Sequence, residues 1–250
     1  MRPDRAAQDS PAPDSQDVTA IVPAAGIGRR FGAAGPKQYM TLGERPLLAW
    51  VLDALEAHPR IREIVPVVRE DDLAALSHIL GSRAYAKVLR PVIGGAERQD
   101  SVYNALRSLA SPAPLILVHD GVRPFLSQSL ITRCVEAADT NDGAIAAVPP
   151  KDTIKQGAAD PASGLTVVAG TIERSTLWSV QTPQVFRAHI LRAAYEDAMK
   201  AGVYATDDSA LVERMGGRVA IVQGYYENIK VTTPEDIAIA GAIINKGLPE

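Results

Sequence analysis

Cysteine is almost absent from the chain: Cys134 is the only one among 250 residues, so no disulfide can form within one chain. This usage is typical of a reducing compartment, and we expect a cytoplasmic location. Long hydrophobic runs are also lacking, because no apolar stretch approaches the roughly 18 residues that span a bilayer. Lysine and arginine total 26 against 29 aspartates and glutamates, a net charge of −3. The chain therefore shows no excess of positive charge for binding nucleic acid or an anionic membrane.

The remaining composition is that of an ordinary globular protein. Hydrophobic residues make up 46% and charged residues 22%, which excludes a wholly disordered chain. Residues 1–17 contain three prolines among polar residues and lack the apolar core of a signal peptide. We predict a flexible tail over residues 1–17 and a single domain over residues 18–250.

Short apolar runs alternate with amphipathic helical stretches from Val18 onward. Buried strands are predicted at residues 18–23, 64–68, 88–92, 115–119 and 144–148. Strands separated by helices predict an α/β domain with a mostly parallel sheet covered by helices on both faces. In such sheets ligands bind beyond the carboxyl ends of the strands. The loops predicted to share this ligand edge follow Val22, Val92, Val118 and Val148.

Residues 151–170 interrupt the alternation. Gly157, Pro161 and Gly164 divide a polar stretch that is flanked by β-prone residues, which predicts a β-hairpin protruding from the main body. Further helices are predicted at 188–200 and 209–215, a strand at 219–222, and a last helix opened by Thr233-Pro234.

The loop after the first strand is rich in glycine and carries three cations. It runs from Pro23 to Gln38 as P-A-A-G-I-G-R-R-F-G-A-A-G-P-K-Q and includes Arg29, Arg30 and Lys37. Glycines let backbone N–H groups approach phosphate oxygens, and the cations add charge. The loop lacks both the G-K-[ST] of a P-loop and the third glycine of a dinucleotide fingerprint. Taken alone, it fits a phosphate-binding loop and a solvated surface loop equally well.

Two other predicted strands end in candidate ligand residues. Asp120 follows the strongest strand, where a carboxylate near phosphate-binding cations is suited to hold Mg²⁺, the cofactor that we expect. His119, just before it, is predicted to be a core histidine. In G-G-A-E-R-Q-D-S-V, Gly95 would let a flat ligand approach the backbone and Ser101 would offer a hydroxyl. The residues alone favour a tight turn there, with Arg98 as a surface charge.

Three other polar positions have simple structural interpretations when each is considered singly. Helix capping is the simplest role for Thr206-Asp207-Asp208. A lone lysine such as Lys230, or an arginine such as Arg174, is usually solvated.

Eight short motifs nevertheless occur in one order between Val18 and Ala240. They are P-A-A-G-x-G-x-R, P-K-Q, G-G-x-x-R-x-x-S-V, V-H-D-x-x-R-P, D-T-I-K, T-P-Q, T-D-D-S-A and N-I-K-V-T-x-P-E-D. In this order the chain resembles the 2-C-methyl-D-erythritol 4-phosphate cytidylyltransferases. The resemblance implies a single Rossmann-like nucleotidyltransferase domain that transfers CMP from CTP to a sugar-alcohol phosphate. It also implies that the hairpin at 151–170 is a dimerisation arm of a homodimer whose active site is shared between subunits.

The resemblance assigns roles by motif position. The catalytic set is Arg30 and Lys37, which would stabilise the transition state at the triphosphate, and Arg174 and Lys230, which would hold the sugar phosphate. The nucleotide set is Ala24, Ala25, Gly26, Gly95, Ser101 and Asp120, and Asp120 would also be the metal ligand. The substrate set is Arg123, Thr153, Thr182 and Thr206. Ala96 and Gly121-Val122 depart from the commoner residues at their positions.

Two alternatives stay open at this point. A ribitol-5-phosphate cytidylyltransferase shares the fold, although its first loop usually reads A-G-G where this chain has P-A-A-G. A non-catalytic nucleotide-binding domain on the same scaffold is disfavoured because every expected cation is present.

Overall fold

A computed structural model describes residues 17–26, 36–111 and 113–247. Arg29, Arg30 and residues 1–16 of the predicted tail lie outside the described residues. Asp17, the last residue of that predicted tail, is buried, and its carboxylate pairs with Arg60 at 2.5 Å. No helix within the described ranges is both long and apolar enough to cross a membrane.

The sheets contain eleven strands within the described ranges. They are β1 (Val18–Pro23), β2 (Thr41–Leu42), β3 (Arg45–Pro46), β4 (Ile61–Val68), β5 (Val92–Ile93), β6 (Leu115–Val118), β7 (Gly143–Val148), β8 (Lys155–Ala159), β9 (Thr166–Thr171), β10 (Ser179–Arg187) and β11 (Val219–Gln223). The α-helices are α1 (Leu47–Ala57), α2 (Leu73–Gly81), α3 (Arg98–Ser108), α4 (Gln128–Thr140), α5 (Ala188–Ala201), α6 (Asp208–Arg214) and α7 (Pro234–Lys246). The predicted alternation of strands and helices is confirmed.

Seven strands form the central sheet in the order β11-β7-β10-β6-β1-β4-β5. All neighbours pair in parallel except β10, which runs antiparallel between β6 and β7. The mostly parallel sheet is therefore confirmed. Because β1, β5, β6 and β7 run in one direction, the four loops predicted to share an edge do lie at the same edge.

Helices cover both faces of this sheet, as predicted, because the apolar side chains of the strands alternate between two core clusters. Ala20 and Val22 of β1 pack in a cluster with buried residues of α1, α2 and α4. Ile21 packs on the opposite face, in a cluster with α3, α5 and α6. The loops at the ligand edge are thus mounted on a sheet that is buried on both faces.

Two strand predictions need correction. No strand was predicted at β10, whose sequence S-V-Q-T-P-Q-V-F-R contains Pro183 and does not alternate; its register is irregular between Val180 and Gln184. The strand predicted at 88–92 is reduced to β5, with only an isolated bridge at Val88. Arg90-Pro91 separates the two, and proline cannot donate to a strand ladder.

The interruption at 151–170 is a β-hairpin, as predicted. Strands β8 and β9 pair with each other in a sheet of their own. The hairpin leaves apolar side chains in solvent, since Leu165 and Val168 are 66% and 65% exposed.

Candidate active site

A cavity of about 460 Å³ lies at the ligand edge of the sheet. The loop after β1 contributes Ala24, Ala25 and Gly26, which line one part of it. The turn after β5 contributes Gly95, the first turn of α3 contributes Ser101, and Lys37 lies near the end of the first loop. Six residues that the resemblance assigned to a nucleotide triphosphate therefore lie around one space.

The two glycines after β5 are required by close packing. A Cβ on Gly94 would lie 2.4 Å from the Ala25 Cβ, and one on Gly95 would lie 2.3 Å from the Asp100 Cβ. The Gly95 N–H donates to Ser101 Oγ at 3.1 Å, and that hydroxyl donates to the Glu97 carbonyl at 3.1 Å. Ser101 thus holds the shape of the turn, and the lack of a side chain at Gly94 lets the turn approach the first loop.

Asp120 lies at the end of β6 and is surrounded by three cations. Its Oδ1 accepts from Arg98 Nε at 3.1 Å, while its Oδ2 lies 2.9 Å from Lys230 Nζ and 3.5 Å from Arg123 Nε. Burial alone would raise the pKa of Asp120, but the charges of Arg98, Lys230 and Arg123 outweigh it and hold that pKa well below its usual range. Asp120 is therefore a carboxylate at any physiological pH.

Lys230 reaches this carboxylate because its segment is held against the loop after β6. Arg123 Nη1 donates to the Asn228 carbonyl at 2.8 Å, and the Val231 N–H donates to the Val122 carbonyl at 2.9 Å. Lys230 also lines the cavity, with 38% of its side chain exposed. The interpretation of Lys230 as a solvated surface lysine is wrong.

The interpretation of Arg98 as a surface charge is also wrong. Its side chain is 29% exposed, and its guanidinium bonds to Asp208 at 3.0 and 2.8 Å as well as to Asp120. Asp207 caps helix α6 as predicted, accepting from the Ala210 N–H at 3.1 Å. Asp208, by contrast, is fully buried. Together with Arg98, Asp120, Arg123 and Lys230 it forms what we call the charged cluster. No local sequence signal predicts that Arg98 pairs with Asp120 or with Asp208, since these partners are 22 and 110 residues away.

His119 is a core histidine, as predicted: it is buried next to Asp120, and both of its ring nitrogens have hydrogen-bond partners. Its Nδ1 lies 3.0 Å from Thr182 Oγ1, and its Nε2 lies 3.1 Å from the Arg123 carbonyl, so Nε2 carries the proton. Thr182 Oγ1 accepts the Asp120 N–H at 3.1 Å, which leaves its own proton for Nδ1. Burial lowers the pKa of His119 to about 4. The neutral ring therefore links the backbone of Asp120 to strand β10.

A second cavity, of about 580 Å³, opens on the other side of the charged cluster. It is lined by Arg123, Thr182 and Thr206, which are three of the four residues of the substrate set that the resemblance assigned. Arg98, Asp120 and Lys230 line both cavities. The charged cluster therefore lies at the junction of two neighbouring binding spaces.

Two predicted residues are not brought into this arrangement by their own chain. Thr153 and Arg174 are exposed next to the hairpin, and neither is among the described residues that line the two cavities. Arg174 Nη1 donates to the Lys151 carbonyl at 2.7 Å. Arg30, the remaining predicted catalytic residue, lies outside the described residues.

The acidic side chains restrict the kind of metal site that is feasible. The described part of the chain has no group of three or more histidine, cysteine, aspartate or glutamate side chains suited to a metal ion. Asp120 is one ionised carboxylate that lines a cavity rich in cations. It fits a cation such as Mg²⁺, which accepts one protein carboxylate when phosphate oxygens and water supply its other ligands.

Comparisons with known proteins identify the family. The family model for IspD, 2-C-methyl-D-erythritol 4-phosphate cytidylyltransferase, matches residues 18–246. A protein of that name from Geobacter metallireducens is 44% identical over 236 residues, covering 93% of this chain and 99% of the relative. One from Pelotomaculum thermopropionicum is 45% identical over 231 residues, covering 91% and 94%.

Solved structures give the same result. The crystal structure of 4-diphosphocytidyl-2C-methyl-D-erythritol synthase from Anaerococcus prevotii has a TM-score of 0.80 at 35% identity, covering 91% of this chain and 96% of that one. The cytidylyltransferase from Thermus thermophilus has a TM-score of 0.72 at 30% identity, covering 90% and 98%. The family model over residues 18–246 and the relatives at 44% and 45% identity show that the chain belongs to the 2-C-methyl-D-erythritol 4-phosphate cytidylyltransferase family.

Proposed function

We propose that this protein transfers CMP from CTP to 2-C-methyl-D-erythritol 4-phosphate, giving 4-diphosphocytidyl-2-C-methyl-D-erythritol and pyrophosphate. The observation that supports it best is the charged cluster at the junction of two cavities. One cavity is lined by Gly26, Gly95 and Lys37, which suit a nucleoside triphosphate, and the other is lined by Arg123, Thr182 and Thr206, which suit a phosphorylated polyol. Substrates seated in both would bring their phosphates together at Arg98, Asp120 and Lys230.

The reaction needs charge neutralisation more than proton transfer. A phosphate monoester has a second pKa of about 6, so its oxygen is already ionised at neutral pH. That oxygen forms a bond to the α-phosphorus of CTP, and the bond to the β-phosphate breaks as pyrophosphate leaves with the electron pair. Lys37 and Lys230 would stabilise the charge on the phosphates and align them. His119 is neutral and committed to Thr182 and a backbone carbonyl, which agrees with a reaction that needs no general base.

Asp120 would hold Mg²⁺ together with the phosphates of the bound nucleotide. The ion would supply additional neutralisation of the triphosphate. Lys230 pairs with Asp120 Oδ2 at 2.9 Å, and its flexible stem would let it turn to a phosphate in the second cavity. A cytoplasmic location is part of this proposal and rests on the near absence of cysteine.

The proposed activity is tested by pyrophosphate release from CTP with either 2-C-methyl-D-erythritol 4-phosphate or ribitol 5-phosphate. We expect turnover with the first and little with the second. Lys37→Ala is expected to lower turnover at least about tenfold, as is usual when a contact to the transition state is lost. Lys200→Ala, on the exposed face of α5, is the matched control and should match the wild type. Faster turnover with ribitol 5-phosphate would overturn the choice of substrate.

A homodimer with shared active sites is a further part of the proposal. It is supported by the exposed apolar side chains of the hairpin and by the position of Thr153 and Arg174 outside both cavities of their own chain. In a dimer, the hairpin of one subunit would bring these two residues to the other subunit's second cavity.

Mixing two weakly active variants tests the shared site. Arg174→Ala and Lys37→Ala are each expected to be weakly active, but a heterodimer of the two has one site that lacks both changes. Random subunit exchange should restore about a quarter of wild-type activity, because half of the dimers then contain one intact site. No recovery, with exchange proved by differently tagged subunits, would argue that each chain builds its own site.

A further inference from the structure

The guanidinium of Arg98 is held from the core side by a buried carboxylate. Arg98 Nη1 and Nη2 donate to Asp208 Oδ1 and Oδ2 at 3.0 and 2.8 Å, and Arg98 Nε donates to Asp120 Oδ1 at 3.1 Å. The hydroxyl of Tyr195, itself 1% exposed, donates to Asp208 Oδ1. The four side chains form a continuous line of hydrogen bonds from the core to the junction of the two cavities.

The geometry of this line determines the orientation of Asp120. Two parallel bonds to one carboxylate fix the plane of a guanidinium, and the direction of Nε follows from that plane. Asp120 Oδ1 therefore has a rigid partner, whereas Oδ2 meets Lys230, a point charge on a flexible stem. Arg98 is the fixed side of the charged cluster, and Lys230 is the adjustable side.

Stability alone does not account for the pair. Removing a carboxylate from water costs free energy that a buried ion pair seldom recovers fully, and apolar replacements of such pairs are often neutral or stabilising. Helix capping does not account for it either, because Asp207 already provides the N-terminal cap of α6. The position of Arg98 on the walls of both cavities is the feature that distinguishes this pair.

We propose that Asp208 is a positioning residue that acts through Arg98. By holding the guanidinium, it orients Asp120 and aims the remaining N–H groups of Arg98 at phosphate oxygens between the two cavities. The three bonds to Asp208 and Asp120 use three of five N–H groups, and the other two are not bonded to a described residue. This inference rests on the proposed function and assigns to that reaction two residues, Arg98 and Asp208, beyond those expected from sequence.

The first test compares Asp208→Asn with Asp17→Asn. Asp17 is also buried and accepts two bonds from one arginine, Arg60, at 2.7 and 2.5 Å, but it lines neither cavity. Asp208→Asn keeps the size of the side chain and is expected to lower kcat about 10- to 100-fold, as misplaced groups do. Asp17→Asn should leave kcat within twofold of the wild type. Thermal unfolding of both variants reports their stability separately from kcat.

The second test combines Asp208→Asn with Arg98→Gln. The double variant has no unpaired charge in the core, so its thermal stability should exceed that of Arg98→Gln alone. If Asp208 acts through Arg98, the double variant stays within about twofold of the kcat of Arg98→Gln. Recovery of kcat along with stability would mean that the pair is only structural and would overturn the inference.

The outcomes separate this inference from the proposed function. An active wild type whose Asp208→Asn variant has the same kcat as Asp17→Asn overturns the inference alone. A wild type that releases no pyrophosphate from CTP and 2-C-methyl-D-erythritol 4-phosphate overturns the proposed function, and the inference with it.

Discussion

Lys230→Met is expected to lower kcat at least about 100-fold, a loss typical of removing one group that stabilises charge in a transition state. Lys230 is the adjustable cation of the charged cluster: it pairs with Asp120 at 2.9 Å and lines both cavities. Methionine fills similar space without the charge, so the segment from Asn228 to Val231 should stay bonded to the loop after β6. Pyrophosphate release at saturating concentrations of both substrates measures the effect.

The control for this variant is Lys246→Met. Lys246 lies at the end of α7 with 80% of its side chain exposed, and it faces Glu227 at 3.7 Å. An exposed pair of this kind contributes little, so both kcat and thermal stability should match the wild type. Wild-type turnover in Lys230→Met would show that a positive charge at the junction is not needed and would contradict the mechanism.

Asp120→Asn is expected to lower kcat by about 100- to 1000-fold, the larger of the two effects, because two functions are lost together. The carboxylate is the anion that Arg98, Arg123 and Lys230 share, and without it only Arg98 keeps a carboxylate partner, Asp208, so the repulsion among the three cations is less compensated. The amide NH2 of asparagine would also place a hydrogen-bond donor against the N–H donors of a neighbouring arginine or lysine. The proposed metal ligand is removed as well.

Nucleotide binding provides a second measurement for Asp120→Asn that does not depend on turnover. In the wild type, Mg²⁺ should strengthen CTP binding, whereas in the variant it should add little. Asp197→Asn is the matched control, since Asp197 pairs with Arg214 on the surface with 51% of its side chain exposed. If Mg²⁺ strengthens CTP binding equally in Asp120→Asn and the wild type, Asp120 is not the metal ligand.

Much of the scaffold could be predicted from sequence because its signals are local. The apolar run Val18–Pro23 and the helical spacing in α1 and α3 depend on neighbours within a few residues. The hairpin at 151–170 follows from glycine and proline at close spacing. Strand β10 was missed because Pro183 and the lack of alternation hide it; only its pairing between β6 and β7 makes it a strand.

In the candidate site, too, features with a local sequence signal could be predicted, and those that depend on long-range contacts could not. Asp120 could be predicted because it follows directly from a clear strand, and the carboxyl ends of parallel strands share an edge. Considered singly, Arg98 and Lys230 look like surface charges, because an isolated arginine or lysine carries no information about its partner; only the resemblance assigned Lys230 to the catalytic set. Their partners lie 22, 110 and 110 residues away, for Arg98 with Asp120, Arg98 with Asp208, and Lys230 with Asp120.

The sequence by itself determined the α/β architecture, the edge of the sheet where the two cavities lie and the family to which the chain is similar. These follow from hydrophobic periodicity and from the order of short motifs, which are properties of the sequence alone. Only the tertiary structure decided which charges share one site, because the strand order and the docking of segment 228–231 set the distances between remote side chains. Coulombic attraction depends on those distances and not on separation in the sequence.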